Sequence, residues 1–180
     1  MDRQEKTISK NTVYRGRILN LRVDNVQFPD GRRTQREVVE HTPAVGIVAI
    51  SDKCLFLVEQ YRYAVQETLF EIPAGLIEPG ETPEQTAHRE LQEEIGYRAQ
   101  RLEPLGRLYV SPGFTDEVVF LFLAEGLTPS KLPADDDESI TVRRFPWSSV
   151  WEMIRDETIR DGKTVAILTR LALERKIPYH

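Results

Sequence analysis

Apolar runs separated by short polar breaks divide this chain mostly into strands, with helical periodicity confined to one central segment and the C-terminal third. Residues 13–28 and 33–40 have strand-forming composition on either side of Pro29-Asp30-Gly31, a turn signal, and predict an N-terminal antiparallel hairpin. Val45-Gly46-Ile47-Val48-Ala49-Ile50 and Cys54–Glu59 read as buried strands joined by Ser51-Asp52-Lys53, and Leu69–Ile72 as another short strand. Further strands are predicted near 105–110, 117–125 and 140–145, at intervals too short for parallel crossovers. Trp147–Arg155 and Thr164–Arg175 have helical periodicity. The sum is an α/β (α+β) pattern, a mixed sheet flanked by helices. It is organised as an N-terminal hairpin extension, residues 1–42, and a main domain, 43–180.

The central helix has its own start and stop chemistry. Thr82-Pro83-Glu84-Gln85 offers a hydroxyl N-cap, a proline at the first helical position and a glutamine able to close a capping box. Ala87, Leu91 and Ile95 form an apolar stripe that can bury against a sheet, and Gly96 can end the helix. Pro79-Gly80 supplies an upstream turn, so residues 75–96 read as loop, helix and loop.

Composition narrows the partners. At 180 residues and 40% hydrophobic content the chain can bury one real core with appendages. A net charge of −5 and the lack of a long basic run disfavour nucleic acid. The single Cys54 lies in an apolar run and reads as a buried core thiol, which leaves no disulfide within the chain. Met1–Lys10 is polar, unlike a signal peptide, and no window approaches a membrane span, so cytoplasmic residence is the expectation.

From Gly75 the sequence runs five residues to Glu81, then seven to Arg89-Glu90-Leu91-Gln92-Glu93-Glu94-Ile95-Gly96. On a helix Glu90 lies within reach of Glu93 and Glu94, and like charges so placed repel. A bound divalent cation reverses that penalty: hard Mg2+ favours carboxylate oxygens, keeps several waters and is commonly completed by substrate phosphate. An E-x-x-E-E run alone favours a hydrated acidic face; the flanking Gly, Glu, Arg and Gly intervals overturn that reading. The whole pattern resembles the box of the Nudix hydrolases, with Leu91 as the required aliphatic residue and Tyr97 departing from the aliphatic residue usual at the last position. The resemblance implies an α/β/α sandwich with a mixed sheet, to which the N-terminal antiparallel hairpin read from the turn signal is an extension. It implies Glu90, Glu93 and Glu94 as metal ligands, the last two also catalytic, with the carbonyl of Ala74 as a further ligand. Gly75, Glu81, Arg89 and Gly96 would shape the box, Glu81 and Arg89 through an ion pair.

A second signature is Tyr109-Val110-Ser111-Pro112-Gly113-Phe114-Thr115-Asp116-Glu117, with Pro112 fifteen positions beyond Tyr97. It resembles the ADP-ribose diphosphatase subgroup, in which Pro112 and Gly113 would shape a loop around the terminal ribose. Thr115, Asp116 and Glu117 supply groups for sugar hydroxyls. An ordinary turn between strands is the alternative. Gln60-Tyr61-Arg62 and Gln35-Arg36-Glu37 also resemble the subgroup, implying Arg62 and Arg36 as substrate contacts. A guanidinium can grip phosphate through two parallel hydrogen bonds, though arginine also commonly forms solvated pairs. In Asp135-Asp136-Asp137-Glu138 the resemblance points to Glu138, then Asp136, as catalytic base or added metal contact; a hydrated loop is the alternative. Glu67 and Glu71 either border the cleft or lie on strand surfaces. Tyr14 and Phe28 are candidates for adenine, Trp147 and Trp151 for helix packing, and none of His41, His88 and His180 is assigned to catalysis.

The activity implied is Mg2+-dependent hydrolysis of ADP-ribose to AMP and ribose 5-phosphate, with two or more Mg2+ ions, or Mn2+ instead, and metal-activated water. Other nucleotide sugars are the alternative substrates. A non-catalytic nucleotide sensor would be expected to have eroded box acids, whereas Glu90, Glu93 and Glu94 are all present. No Walker-type Gly-Lys-Ser/Thr follows the box glycines, and no His/Cys zinc cluster is found. A homodimer built through the N-terminal extension is expected, with no nucleic-acid or membrane partner.

Overall fold

Residues 3–133 and 139–178 are described by the computed structural model, and they divide into two compact units. The first comprises the N-terminal residues through Pro43 together with Tyr109–Val118. Its strands β1 (Lys6–Arg15), β2 (Leu19–Gln27) and β3 (Arg33–His41) form an antiparallel sheet in the order β1-β2-β3. The hairpin around Pro29-Asp30-Gly31 is present: Gly31 has φ +89° and donates to the Phe28 carbonyl at 3.0 Å. The extension is nonetheless three-stranded. The strand expected over 13–28 is broken at Gly16, whose N–H donates to the Leu19 carbonyl at 2.9 Å, and residues 6–15 form a strand of their own. All ten residues of β1 are exposed, so no buried face imposes the apolar alternation by which a strand is recognised. In the same unit, Thr115 bridges Val39 in parallel, and the His41 N–H donates to Asp116 Oδ1 at 2.9 Å.

The second unit holds a seven-stranded sheet formed by β4 (Ala44–Ser51), β5 (Cys54–Arg62), β6 (Glu67–Glu71), β7 (Ala74–Leu76), β8 (Tyr97–Tyr109), β9 (Val118–Pro129) and β10 (Ile140–Pro146). The order is β10-β5-β4-β9-β8, with β6 on β5 and β7 on β4. β4 and β9 pair in parallel, contrary to the expectation that no parallel crossover would fit. The crossover is the long excursion between these two strands, which includes the central helix α1 (Pro83–Glu90), rather than any link between consecutive strands.

Alternation along the central strands sends side chains to two cores. Val45, Ile47, Ala49, Phe56, Val58, Phe122 and Ala124 pack with Ala87, Leu91 and Ile95 of the α1 segment. Val48, Leu55, Leu57, Leu121 and Leu123 pack against α2 (Trp147–Arg155) and α3 (Gly162–Leu173). Period-two alternation makes these opposite faces, so the unit is an α/β/α sandwich. Trp147 and Trp151 are buried, with ring centroids 6.3 Å apart, as helix-packing residues. Cys54 departs from its expected core position: it is only half-buried, opening β5 opposite Ser51 and Pro146. Among the described residues no helix is long and apolar enough to cross a membrane.

Candidate active site

The α1 segment is built as its sequence specifies. Thr82 Oγ1 accepts the Gln85 N–H at 3.3 Å, Gln85 Oε1 accepts the Thr82 N–H at 2.8 Å, and Pro83 opens the helix. The expected continuous α-helix instead gives way to a π-helical turn over Leu91–Ile95, closed by the Gly96 N–H donating to the Leu91 carbonyl. Gly96 has φ +78°, the left-handed conformation that ends the helix. The wider turn carries Glu93 and Glu94, and turns of this kind are frequent at functional sites. Tyr97, the departure from the box pattern, tilts its ring against Phe56 with centroids 5.2 Å apart and so extends the core on that face.

Arg89 is the hub. Its Nε and Nη2 donate to the two oxygens of Glu81 at 2.9 and 3.0 Å, and Nη2 also donates to the Leu76 carbonyl at 3.0 Å. Its Nη1 donates to Glu90 at 2.7 Å and to Glu93 at 2.8 Å. The Arg89 hydrogen bonds, helped by the Thr86 hydroxyl, hold the Glu81 carboxyl at about 2 despite some burial, and Glu81 followed by its other acids raises Arg89 above the usual arginine range. The expected Glu81–Arg89 tie between loop and helix is thus formed, and the same guanidinium aligns two further box acids.

Within the box, Glu90 and Glu94 are the buried acids, 7% and 4% exposed. A Cβ on Gly75 would lie 1.8 Å from Glu90 Oε1, so the missing side chain at 75 is what gives the Glu90 carboxylate its place. Glu94 accepts the Ala74 N–H at 2.9 Å. Ala74-Gly75 and the box acids are therefore brought together. Among the described residues no three His, Cys, Asp or Glu side chains converge as a ready-made ion cage.

Beside them lies a network the sequence only half disclosed. Glu71, 2% exposed, is held bidentately by Arg62, with Nε and Nη2 donating at 2.6 and 2.8 Å, and is also bonded by Lys163. Burial alone would push the Glu71 carboxyl up; the Arg62 hydrogen bonds and the Lys163 charge override it and hold it at about 2. Lys163 had no sequence signal, because it is matched to Glu71 across 92 positions of chain. Glu67 is exposed and paired with Arg160.

The remaining candidates separate. Arg36, in the N-terminal unit, is bound through Nε and Nη2 by Glu5 at 3.1 and 2.6 Å, and its guanidinium lies 5.5 Å from the Phe28 ring centroid. Pro112 and Gly113 sit in a turn in which Ser111 O accepts the N–H groups of Phe114 and Thr115 at 3.1 Å. Asp116 accepts the His41 N–H, and Glu117 Oε1 is 3.9 Å from His41 Nδ1. Tyr14 is exposed, and Phe28 is also faced by Arg32 at 5.0 Å. Asp136 and Glu138 lie outside the described residues. The chain leading toward them is docked on the box: Lys131 Nζ donates to the Glu93 carbonyl at 2.6 Å and the Ser130 N–H to the Gly96 carbonyl at 2.8 Å.

Comparison with known proteins agrees with this geometry. Residues 40–167 match the NUDIX domain, and residues 5–39 match the nucleoside diphosphate sugar hydrolase N-terminal domain. The chain belongs to the Nudix family. It is 38% identical to the ADP-ribose pyrophosphatase of Bacillus subtilis, over 95% of this chain and 94% of that protein. It is also 37% identical to the methanol dehydrogenase activator of Bacillus methanolicus, over 98% and 97%. Among solved structures, one described as an ADP compounds hydrolase superposes with a TM-score of 0.87 at 28% identity, covering 98% of both chains. Nudix hydrolases generally need a divalent metal, and the donor set here fits one in chemistry: three box carboxylates, two of them buried where a hard cation would replace lost hydration.

Proposed function

We propose that this Nudix protein hydrolyses the diphosphate linkage of ADP-ribose, giving AMP and ribose 5-phosphate. The observation that carries the reading is the pair of buried carboxylates, Glu90 and Glu94, fitted against Gly75 and the Ala74 N–H while Arg89 aligns Glu90 with Glu93. Mg2+ is the proposed cofactor, two or more ions with Mn2+ as a substitute, held by Glu90, Glu93, Glu94 and the Ala74 carbonyl. Bound there, it would neutralise phosphate charge and acidify water.

The residues of the chain do the rest. Glu93 or Glu94 accepts the proton of the attacking water, with Glu138 and Asp136 as the acids proposed from the adjoining segment. The water oxygen bonds to one phosphorus as the bridging phosphorus–oxygen bond breaks, and the other phosphate leaves with that oxygen. No covalent enzyme intermediate is formed. Arg62, aligned by Glu71 and 40% exposed, is the proposed grip on the diphosphate. Arg36, Pro112, Gly113 and Glu117 are proposed substrate contacts near the ribose ends. A homodimer is proposed as well, built through the N-terminal sheet, whose exposed Ile8, Val13, Tyr14 and Ile18 are candidates for burial on a second copy.

A second reading has its own observation. The match of residues 5–39 to a nucleoside diphosphate sugar hydrolase N-terminal domain, and 34% identity over 94% of this chain to a protein named GDP-mannose pyrophosphatase from Cronobacter sakazakii, favour other nucleotide sugars as substrates. Phosphorus NMR of reactions with ADP-ribose and with GDP-mannose tests both. The main reading expects AMP and ribose 5-phosphate to accumulate fastest from ADP-ribose; faster turnover of GDP-mannose would transfer the assignment to the second.

A further inference from the structure

Glu71 is almost wholly buried yet is met by two cations, Arg62 and Lys163. Replacing such buried ion clusters by apolar residues of similar volume is often neutral or stabilising, so sheet stability alone does not account for this one. Its geometry points outward along Arg62. A guanidinium has five N–H donors; Arg62 commits Nε and Nη2 to Glu71, its Nη1 makes no hydrogen bond among the described residues, and the side chain is 40% exposed. One edge of the fork is locked and the other is left uncommitted on a partly exposed side chain.

The lock itself is anchored on α3. Asp161 caps that helix, accepting the Thr164 N–H at 2.9 Å and the Thr164 hydroxyl at 2.6 Å. Thr164 Oγ1 in turn accepts the Ile72 N–H at 2.9 Å, while Lys163 Nζ lies 3.1 Å from Asp161 and bonds Glu71. The first turn of α3 therefore grips residue 71 by an ion pair and the N–H of residue 72 by a side-chain hydroxyl. Two residues further on, Ala74 donates to Glu94. The Glu71–Ala74 segment thus fixes Arg62 at one end and a box acid at the other.

We infer that Lys163 is a positioning residue for the diphosphate of the substrate, acting through Glu71 to hold the plane of the Arg62 guanidinium. The inference rests on the reading of Arg62 as the diphosphate grip. Direct contact of Lys163 with substrate is disfavoured, because its side chain is 15% exposed and its ammonium already meets two carboxylates. Without Lys163, Glu71 keeps a single partner, and the Arg62–Glu71 pair is free to tilt toward water as a unit. A two-bond grip on phosphate depends on the plane that would then be lost.

The test is steady-state hydrolysis of ADP-ribose with Mg2+ by the full chain and by Lys163→Met, Lys163→Arg, Arg62→Ala and the Arg62→Ala/Lys163→Met double variant, each checked by thermal melting. Wild-type turnover is read first; an inert wild type overturns the proposed activity and this inference with it. Given turnover, Lys163→Met is expected to raise KM about tenfold while kcat changes less than about twofold, Lys163→Arg to restore KM, and Lys163→Met to add nothing once Arg62 is gone. Lys163→Gln replaces the methionine variant if that one melts below the assay temperature. An unchanged KM in a folded variant, or KM penalties that multiply in the double variant, overturns the inference and leaves the proposed activity standing.

Discussion

A glycine and an arginine carry the site at the scale of single residues. Gly75 matters through the atom it lacks: a Cβ there would collide with the Glu90 carboxylate at 1.8 Å. Gly75→Ala is therefore expected to push Glu90 aside and lower turnover by roughly a hundredfold, as misplacing a catalytic group by about an ångström does, with the circular dichroism spectrum retained. Unchanged turnover would show that the position of Glu90 is immaterial. Arg89 matters through reach, since one guanidinium meets Glu81, Glu90, Glu93 and the Leu76 carbonyl. Both residues were legible in the sequence, because the box spacing is local. Lys163 was not, because nothing near it in the chain announces a carboxylate on a distant strand.

Among the elements, the cap at Thr82, the stripe through Ala87, Leu91 and Ile95, and the stop at Gly96 could be read directly, each being chemistry within a few residues. Two elements could not. The π-helical turn at Leu91–Ile95 has the same residues an α-turn would have, and β1 is a strand without a buried face. The join of β5, β6 and α3 at Glu71 makes a prediction about acid. The folded Glu71 carboxyl is held at about 2, below its ordinary 4.5, so the unfolded chain binds the proton first. The stabilisation is complete above about pH 5, by the linkage between proton binding and folding, and is lost as pH falls toward 2. Denaturant melts of wild type and Glu71→Gln at pH 6 and pH 3 should show the wild type losing more stability on acidification, by on the order of 2 kcal/mol. Equal losses would mean the carboxylate is not held by its partners as described.

For the whole molecule, the sandwich followed from alternating strands and flanking helices, whereas the parallel pairing of β4 with β9 joins strands far apart in sequence and left no local trace. The grouping of Tyr109–Val118 with the N-terminal strands is likewise a property of the folded chain. The proposed dimer predicts sedimentation at twice 20.8 kDa in the micromolar range, and a monomer throughout that range would contradict it. The proposed role of the box acids in holding a cation is tested by hydrolysis of ADP-ribose with Mg2+ and with the metal removed by chelation. Wild type, Glu93→Gln and Glu94→Gln are compared after each is shown to fold. Turnover is expected to vanish on chelation, return with Mg2+ and fall by about a hundredfold to ten-thousandfold in each variant. Undiminished turnover in both folded variants, or in wild type stripped of metal, would contradict it.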